Sequence, residues 1–343
     1  MTDKGRQHIL DFGRIIALLA VMLFHFYTAH SADLQYGDAY SFMPYGYLGV
    51  RFFFILTGYF VLGSLERSAS LKAFWKKKLV RLWIPLAACS AITFCAVKLL
   101  SLSADGPLPY QQLMTVRNLL FSCTFLEPGT VNALLGTDFQ YINGGYWFMS
   151  AEFEFLLIVS LCFFMGKKNF FPLFGLVSLA CVIADRFTHA LVYTQYIQYL
   201  LWGMMCSRIG ARAWKEALWL LPASLLPFLI QRIWIPVPEH LIIAVMLVFW
   251  VVYARWGGIG INGSFAVTMG RLSEGVYAAY LLHEVTGVVL IYRFGPAFGD
   301  WVWMLPVILI ILFFAAGLLI RRFIEVPADR CLRSFGKGQA SSL

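Results

Sequence analysis

Charge is what this chain has least of. Asp, Glu, Lys and Arg make up 13% of its 343 residues, against 60% for the hydrophobic types. With a mean hydropathy of +0.73, a water-soluble globule is excluded, because no soluble domain can hide that much apolar surface. Acidic residues are scarcer than basic ones, 18 against 27, for a net charge of +9. The basic excess sits in short stretches between apolar runs, the pattern of membrane topology and not of a nucleic-acid groove. Nucleic acid is therefore not an expected partner. The motifs GxSxG, HExxH and GxxxxGK are missing as well, so hydrolase and NTPase readings lose their usual support. The seven cysteines form no CxxC or Cys/His cluster, and neither a metal site nor a disulfide framework is implied. Cys89, Cys95, Cys162, Cys181 and Cys206 fall in apolar runs, where cysteine acts as a small hydrophobe. No small-residue cleavage site follows a short apolar core at the N-terminus, so the first apolar run reads as an uncleaved anchor.

What is present is a series of apolar runs suited to spanning helices. They fall near residues 9–28, 47–65, 79–101, 147–166, 169–185, 191–208, 213–230, 240–255, 268–292 and 302–322. The expected fold is thus all-α and polytopic, with about ten transmembrane helices in a single domain over residues 1–343. Lys and Arg cluster before the first run and after the second, fourth, sixth, eighth and tenth. The alternate loops are poor in positive charge, with Arg117 alone in the long segment 102–146. The positive-inside rule then predicts cytoplasmic termini, an extracytoplasmic loop at 102–146 and a short basic cytoplasmic tail at 326–343 lying on anionic membrane lipid. The aromatics of the long loop, Tyr110, Phe139, Tyr141 and Tyr146, either stack on sugar rings or pack the loop and its interface.

The first run is where polar chemistry enters. Arg14 and His25 stand eleven residues apart, which at 100° per residue returns to within about 20° of one helix face after a rise of roughly 16 Å. Ionisable groups inside a span are costly and usually face a functional interior. Arg14 can pair with Asp11 one turn earlier, or its planar fork can clamp a phosphate; His25 can satisfy a neighbouring carbonyl, or accept a proton. Glu152 and Glu154 open the fourth run but point about 200° apart, so they cannot form one carboxylate pair. Glu152 reads either as an inward-facing acid or as an interfacial one. In the ninth run Tyr277, Tyr280, His283 and Glu284 make a polar stripe that must meet a partner or a cavity, with His283 either handling protons or bonding across helices.

The pattern Asp11-x-x-Arg14-(x10)-His25, followed by Gly49-Val-Arg-Phe-Phe-Phe-Ile-Leu-Thr-Gly58, resembles the membrane acyltransferase-3 family of bacterial enzymes that acylate glycans. Lys78-Leu-Val-Arg81, Trp147-Phe-Met-Ser-Ala-Glu152 and Tyr280-Leu-Leu-His283 extend the resemblance along most of the chain. Arg51 departs from the acidic residue often found after Gly-Val in that family. The resemblance implies a multi-pass enzyme of the bacterial inner membrane, without a fused esterase-like domain. It would move an acyl group, acetyl being the commonest in that family, from acyl-CoA to a hydroxyl of a cell-envelope or exported polysaccharide, or its lipid-linked precursor. His25, Arg14 and Glu152 are the implied catalytic residues. Arg14, Lys78 and Arg81 would hold coenzyme A, and Asp11, Tyr280 and His283 the acceptor. A secondary transporter or flippase for a lipid-linked glycan is the alternative, and it predicts paired broken helices and an inverted repeat.

Overall fold

The computed structural model describes residues 3–31, 34, 43–104, 106–188, 191–230, 237–256 and 263–331. Among these the chain is mostly helical, with no strand. The helices are α1 (Asp3–Phe24), α2 (Gly49–Glu66), α3 (Leu71–Leu102), α4 (Val116–Ser122), α5 (Pro128–Leu135), α6 (Trp147–Met165) and α7 (Phe170–Thr188). They continue with α8 (Ile197–Gly210), α9 (Trp214–Ile230), α10 (Val237–Trp256), α11 (Ser264–Ser273), α12 (Val276–Phe298) and α13 (Met304–Ile320). Among the described residues, seven helical segments are long and apolar enough to cross a membrane, or eight if α11 and α12, bent by 55°, count as one span. The protein is a multi-pass membrane protein.

Two expected spans turn out shorter. The run near 191–208 yields α8, 14 residues long, or about 21 Å of helix against a hydrocarbon core of about 30 Å. It is buried nearly all round, as a core helix is. The run near 213–230 yields α9, 17 residues. The basic cluster after α2 also differs from expectation, since Lys76, Lys77, Lys78 and Arg81 lie on α3 and not in a loop. Ser70 Oγ accepts from the Ala73 amide at 3.2 Å and starts the helix there, and Lys and Arg are good helix formers.

The helices divide into two compact units. The first holds α1 as far as Ala17, α2, the start of α3, and α6 to α10 with most of α11. Its centre is the α2–α8 crossing. A side chain at Gly58 would fall 1.9 Å from the Leu200 carbonyl, and one at Gly203 would fall 2.0 Å from that of Ile55. Only glycine at both positions lets two backbones approach so closely, the device by which helices associate in lipid. Phe54, Trp147 and Tyr196 stack beside the crossing, at 4.8 Å and 4.9 Å between centroids.

The second unit holds the rest of α1, α3 from Trp75, α4, α5, α12 and α13. Here the segment 102–146 is ordered by its own caps. Thr115 accepts from the Asn118 amide to start α4, and Glu127 accepts from the Thr130 amide at 2.7 Å, with Pro128 opening α5. Phe139 and Tyr146 are fully buried, so packing of the loop is their role. Asn143 Nδ2 donates to the Leu281 carbonyl at 2.9 Å, tying the end of this segment to α12.

Candidate active site

The first span does not stay α-helical to its end. From His25 to Ala29 it widens into a π-helical turn, a local form that recurs at functional sites. In an α-helix, residues 25 and 30 would point about 140° apart. The π-turn, which bonds residue i to i+5, instead carries His30 to the same side as His25. The two imidazoles stack at 5.5 Å between centroids, with 20° between their planes.

Glu284 of α12 completes the arrangement. Its Oε1 lies 3.7 Å from His25 Nδ1 and 3.6 Å from His30 Nε2, and those two nitrogens are 3.4 Å apart. Three polar atoms thus form a nearly equilateral triangle, on side chains only 12–19% exposed. The Gly144–Gly145 pair backs the carboxylate. A Cβ on Gly144 would sit 2.4 Å from Glu284 Oε1, and one on Gly145 would sit 3.3 Å from Oε2. Tyr110 holds the far side of His30, with its hydroxyl 2.9 Å from Nδ1. Tyr110 is one of few non-glycine residues with positive φ, at 62°, a conformation that the surrounding structure must enforce.

His283 is fully buried beside them, its ring 5.1 Å from that of His25 in an edge-on arrangement. Its Nδ1 lies 2.6 Å from the Tyr280 carbonyl, so this nitrogen carries the proton and donates. The bond stays within α12 and does not cross between helices. Nε2 of His283 is buried without a hydrogen-bond partner among the described residues. Tyr280 donates its hydroxyl to the Gly145 carbonyl at 3.1 Å.

The remaining sequence-predicted residues lie elsewhere. Arg14 and Asp11 belong to the first unit, where Nη1 of Arg14 donates to Asp11 Oδ1 at 2.9 Å and the guanidinium lies over Phe60. The intrahelical pair foreseen at that spacing is formed. Glu152 is buried in the same unit and accepts from Thr57 on α2 at 3.2 Å, while Glu154 accepts from the Tyr193 amide at 2.9 Å. The two carboxylates serve different neighbours, as their angular separation required. Lys78 and Arg81 lie on α3 within the second unit, and Arg81 acts electrostatically on Glu325.

Sequence reasoning did not assign His30 or Tyr110 to the site, and it took Glu284 only as part of a stripe. It also saw no metal-ligating cluster, whereas the fold gathers one at His25, His30 and Glu284. The signals were the two histidines five apart and the Gly144–Gly145 doublet, but neither shows its meaning until the π-turn and α12 are in place. Arg51, left without a role by its departure from the family pattern, forms a buried ion pair in the first unit. Its Nη2 is 3.0 Å from Glu239 Oε1, Nε donates to the Tyr199 hydroxyl at 3.0 Å, and Tyr47 donates to Glu239 Oε2 at 2.6 Å.

A helical, multi-pass membrane protein with histidines set against one carboxylate has the parts of a proton-transferring enzyme. A family model for an acyltransferase domain, that of the acyltransferase-3 family, matches residues 7–322. The chain belongs to that family, and it is an acyltransferase of the membrane. Comparisons with curated proteins and with solved structures gave no match.

Proposed function

We propose that this enzyme moves an acyl group, acetyl in the first instance, from acyl-CoA to a hydroxyl of a cell-envelope or exported polysaccharide, or of its lipid-linked precursor. The observation that carries the site assignment is Nδ1 of His25 facing Oε1 of Glu284 at 3.7 Å. A carboxylate facing one ring nitrogen favours the proton there, the 3.7 Å separation closing to a hydrogen bond in the working complex, and leaves the other nitrogen as a base. With Tyr110 donating to His30 Nδ1, His30 Nε2–H turns to Glu284; a proton on His25 Nδ1 likewise turned to Glu284, in place of the 3.4 Å contact between the two rings, leaves His25 Nε2 with its lone pair. The acceptor hydroxyl loses its proton to that nitrogen as its oxygen attacks the thioester carbonyl carbon. The carbon–sulfur bond breaks, and the thiolate takes the proton from the imidazolium as coenzyme A leaves. Glu284 stabilises the imidazolium in between, and a positioned base of this kind contributes about 10²–10⁴-fold.

In this reading Arg14 holds a phosphate of coenzyme A and Asp11 orients its guanidinium; Lys78 and Arg81 add positive charge for the same polyanion. The loop charges favour a cytoplasmic donor, an acceptor on the opposite side, cytoplasmic termini and a bacterial inner membrane. The transporter reading calls for paired broken helices and an inverted repeat. One bent pair, α11 with α12, is present among the described residues, and the match to an acyltransferase over 7–322 favours chemistry.

Purified protein in detergent, where no gradient exists, should consume acetyl-CoA when glycan acceptor is supplied. Envelope glycans from cells lacking the gene should lose acyl groups by mass spectrometry. A protein that never turns over any acyl-CoA sinks the donor assignment. Calorimetry of acetyl-CoA binding to Arg14→Lys and Arg14→Ala tests the clamp, since lysine keeps the charge but not the bidentate fork. Unchanged affinity in Arg14→Ala would leave Arg14 only its pairing with Asp11.

A further inference from the structure

We propose that His25, His30 and Glu284 form a binding site for a zinc-type divalent ion, and that its occupation switches acyl transfer off. The site follows from geometry alone; the switching rests on the reading of His25 as the base.

The three facing atoms are His25 Nδ1, His30 Nε2 and Glu284 Oε1, at separations of 3.4, 3.6 and 3.7 Å. A point equidistant from the three lies about 2.1 Å from each, given these separations, and zinc bonds to imidazole nitrogen and carboxylate oxygen are about 2.0–2.2 Å. An ion therefore fits without moving a ligand by more than a few tenths of an ångström, and a small displacement from the plane opens a fourth, tetrahedral position. Two histidines and a glutamate are also a known donor set for zinc with that position open. Imidazole ligands select zinc, cobalt or copper over magnesium and calcium, which need a shell of oxygens.

The surroundings have the form of a metal site's outer shell. Ligating histidines usually donate their second ring N–H to a polar partner, which fixes the ring. His30 Nδ1 has the Tyr110 hydroxyl at 2.9 Å for this purpose, on a residue held at φ 62°. The carboxylate is set against Gly144 and Gly145: a Cβ at Gly144 would displace it, and one at Gly145 would touch it tightly.

The consequence for catalysis is a matter of one proton. Without the ion, the proton of neutral His25 sits on Nδ1 toward Glu284, and Nε2 is basic. With the ion on Nδ1, the single proton of the neutral ring resides on Nε2. That nitrogen then donates and cannot accept. The proton of His30 likewise moves to Nδ1 and is donated to Tyr110. No proton is gained or lost; the base is simply blocked.

The test uses the purified full-length protein, stripped with chelator and dialysed against zinc or cobalt. About one ion per chain should bind, and cobalt should show the intense visible absorption of a tetrahedral site. His30→Gln and Glu284→Gln should each weaken binding at least about tenfold, and Tyr110→Phe should weaken it less, with melting temperatures recorded to exclude unfolding. Zinc should inhibit transfer with the midpoint seen in binding, and chelator should restore it. Failure to bind zinc, or binding unchanged in both glutamine variants, overturns the site and leaves the base reading untouched. Stoichiometric zinc with undiminished transfer keeps the site but sinks the blocked base, and the assignment of His25 Nε2 with it.

Discussion

The polar clusters at the heart of the two units are built in opposite ways. In the first, cations meet anions: Arg51 meets Glu239, Arg14 meets Asp11, and Arg208 meets Glu66 and Glu216 at 3.0 and 3.3 Å. Each guanidinium is matched by a carboxylate at hydrogen-bonding distance; Arg51–Glu239 and Arg208–Glu66 join different helices, while Arg14–Asp11 lies within α1. In the second, two imidazoles crowd a single carboxylate at 3.6–3.7 Å, longer than a formed hydrogen bond. Matched charge is architecture. Titratable groups held close but unmatched have more than one way to distribute their protons, and that freedom is what proton transfer requires.

If this contrast is right, the largest effect on stability belongs to the first unit. Arg51→Met or Glu239→Gln strands one partner of a buried ion pair and should cost about 3–5 kcal/mol. The double replacement by apolar residues should recover most of that, read as melting temperature in detergent. Single variants that melt like the parent would erase the distinction between the units.

The second unit should respond in rate. His25→Ala is expected to lower transfer at least about 10²-fold, roughly 2.7 kcal/mol of barrier, with insertion and melting little changed. His25→Gln should be no better, since an amide donates a hydrogen bond but cannot take the hydroxyl proton. Robust transfer by the glutamine variant would make His25 one more structural residue.

A subtler change displaces the carboxylate without removing it. Gly144→Ala sets a methyl group where Glu284 Oε1 now lies 2.4 Å away, so the side chain must turn. Transfer should fall by about tenfold, about 1.4 kcal/mol, while acetyl-CoA affinity holds. A fully active Gly144→Ala protein would show that the position of Glu284 does not matter.

The smallest effect concerns Cys123, which lies in the second unit but outside the imidazole cluster. Burial pushes its thiol up from the ordinary value. The thiolate is the reactive form, so maleimide labelling of a single-cysteine variant should be slow at neutral pH. It should quicken by about tenfold per pH unit toward the alkaline side. Labelling from outside intact spheroplasts should reach Cys123 and miss the exposed Cys331; the reverse would invert the proposed topology.

The membrane class of the fold was legible in composition alone, because apolar surface on this scale has no other solvent. Arg14, Asp11 and the divergence of Glu152 from Glu154 were legible too, since each follows from one helix at 100° per residue. The limits lay where that period fails or helices meet. Alpha geometry sets His30 on the wrong side of His25, and only the π-turn joins them. Glu284 could be placed in a polar stripe, but its neighbours come from segments far apart in the chain. The length of α8 was hidden because a buried core helix and a span carry the same apolar residues.

The π-turn has a consequence for anyone who edits this chain. It stores one more residue than an α-helical turn can hold, so the first span carries a removable spacer. Deleting one of residues 26–29 should let the helix close into regular α form, keeping His25 on its preceding turn. His30 would then stand four residues after His25, within about 40° of the same helix face. A one-residue excision would thus keep the two rings on one side, whereas closing the turn with all five residues retained would set them about 140° apart while every side chain that performs the chemistry remains encoded.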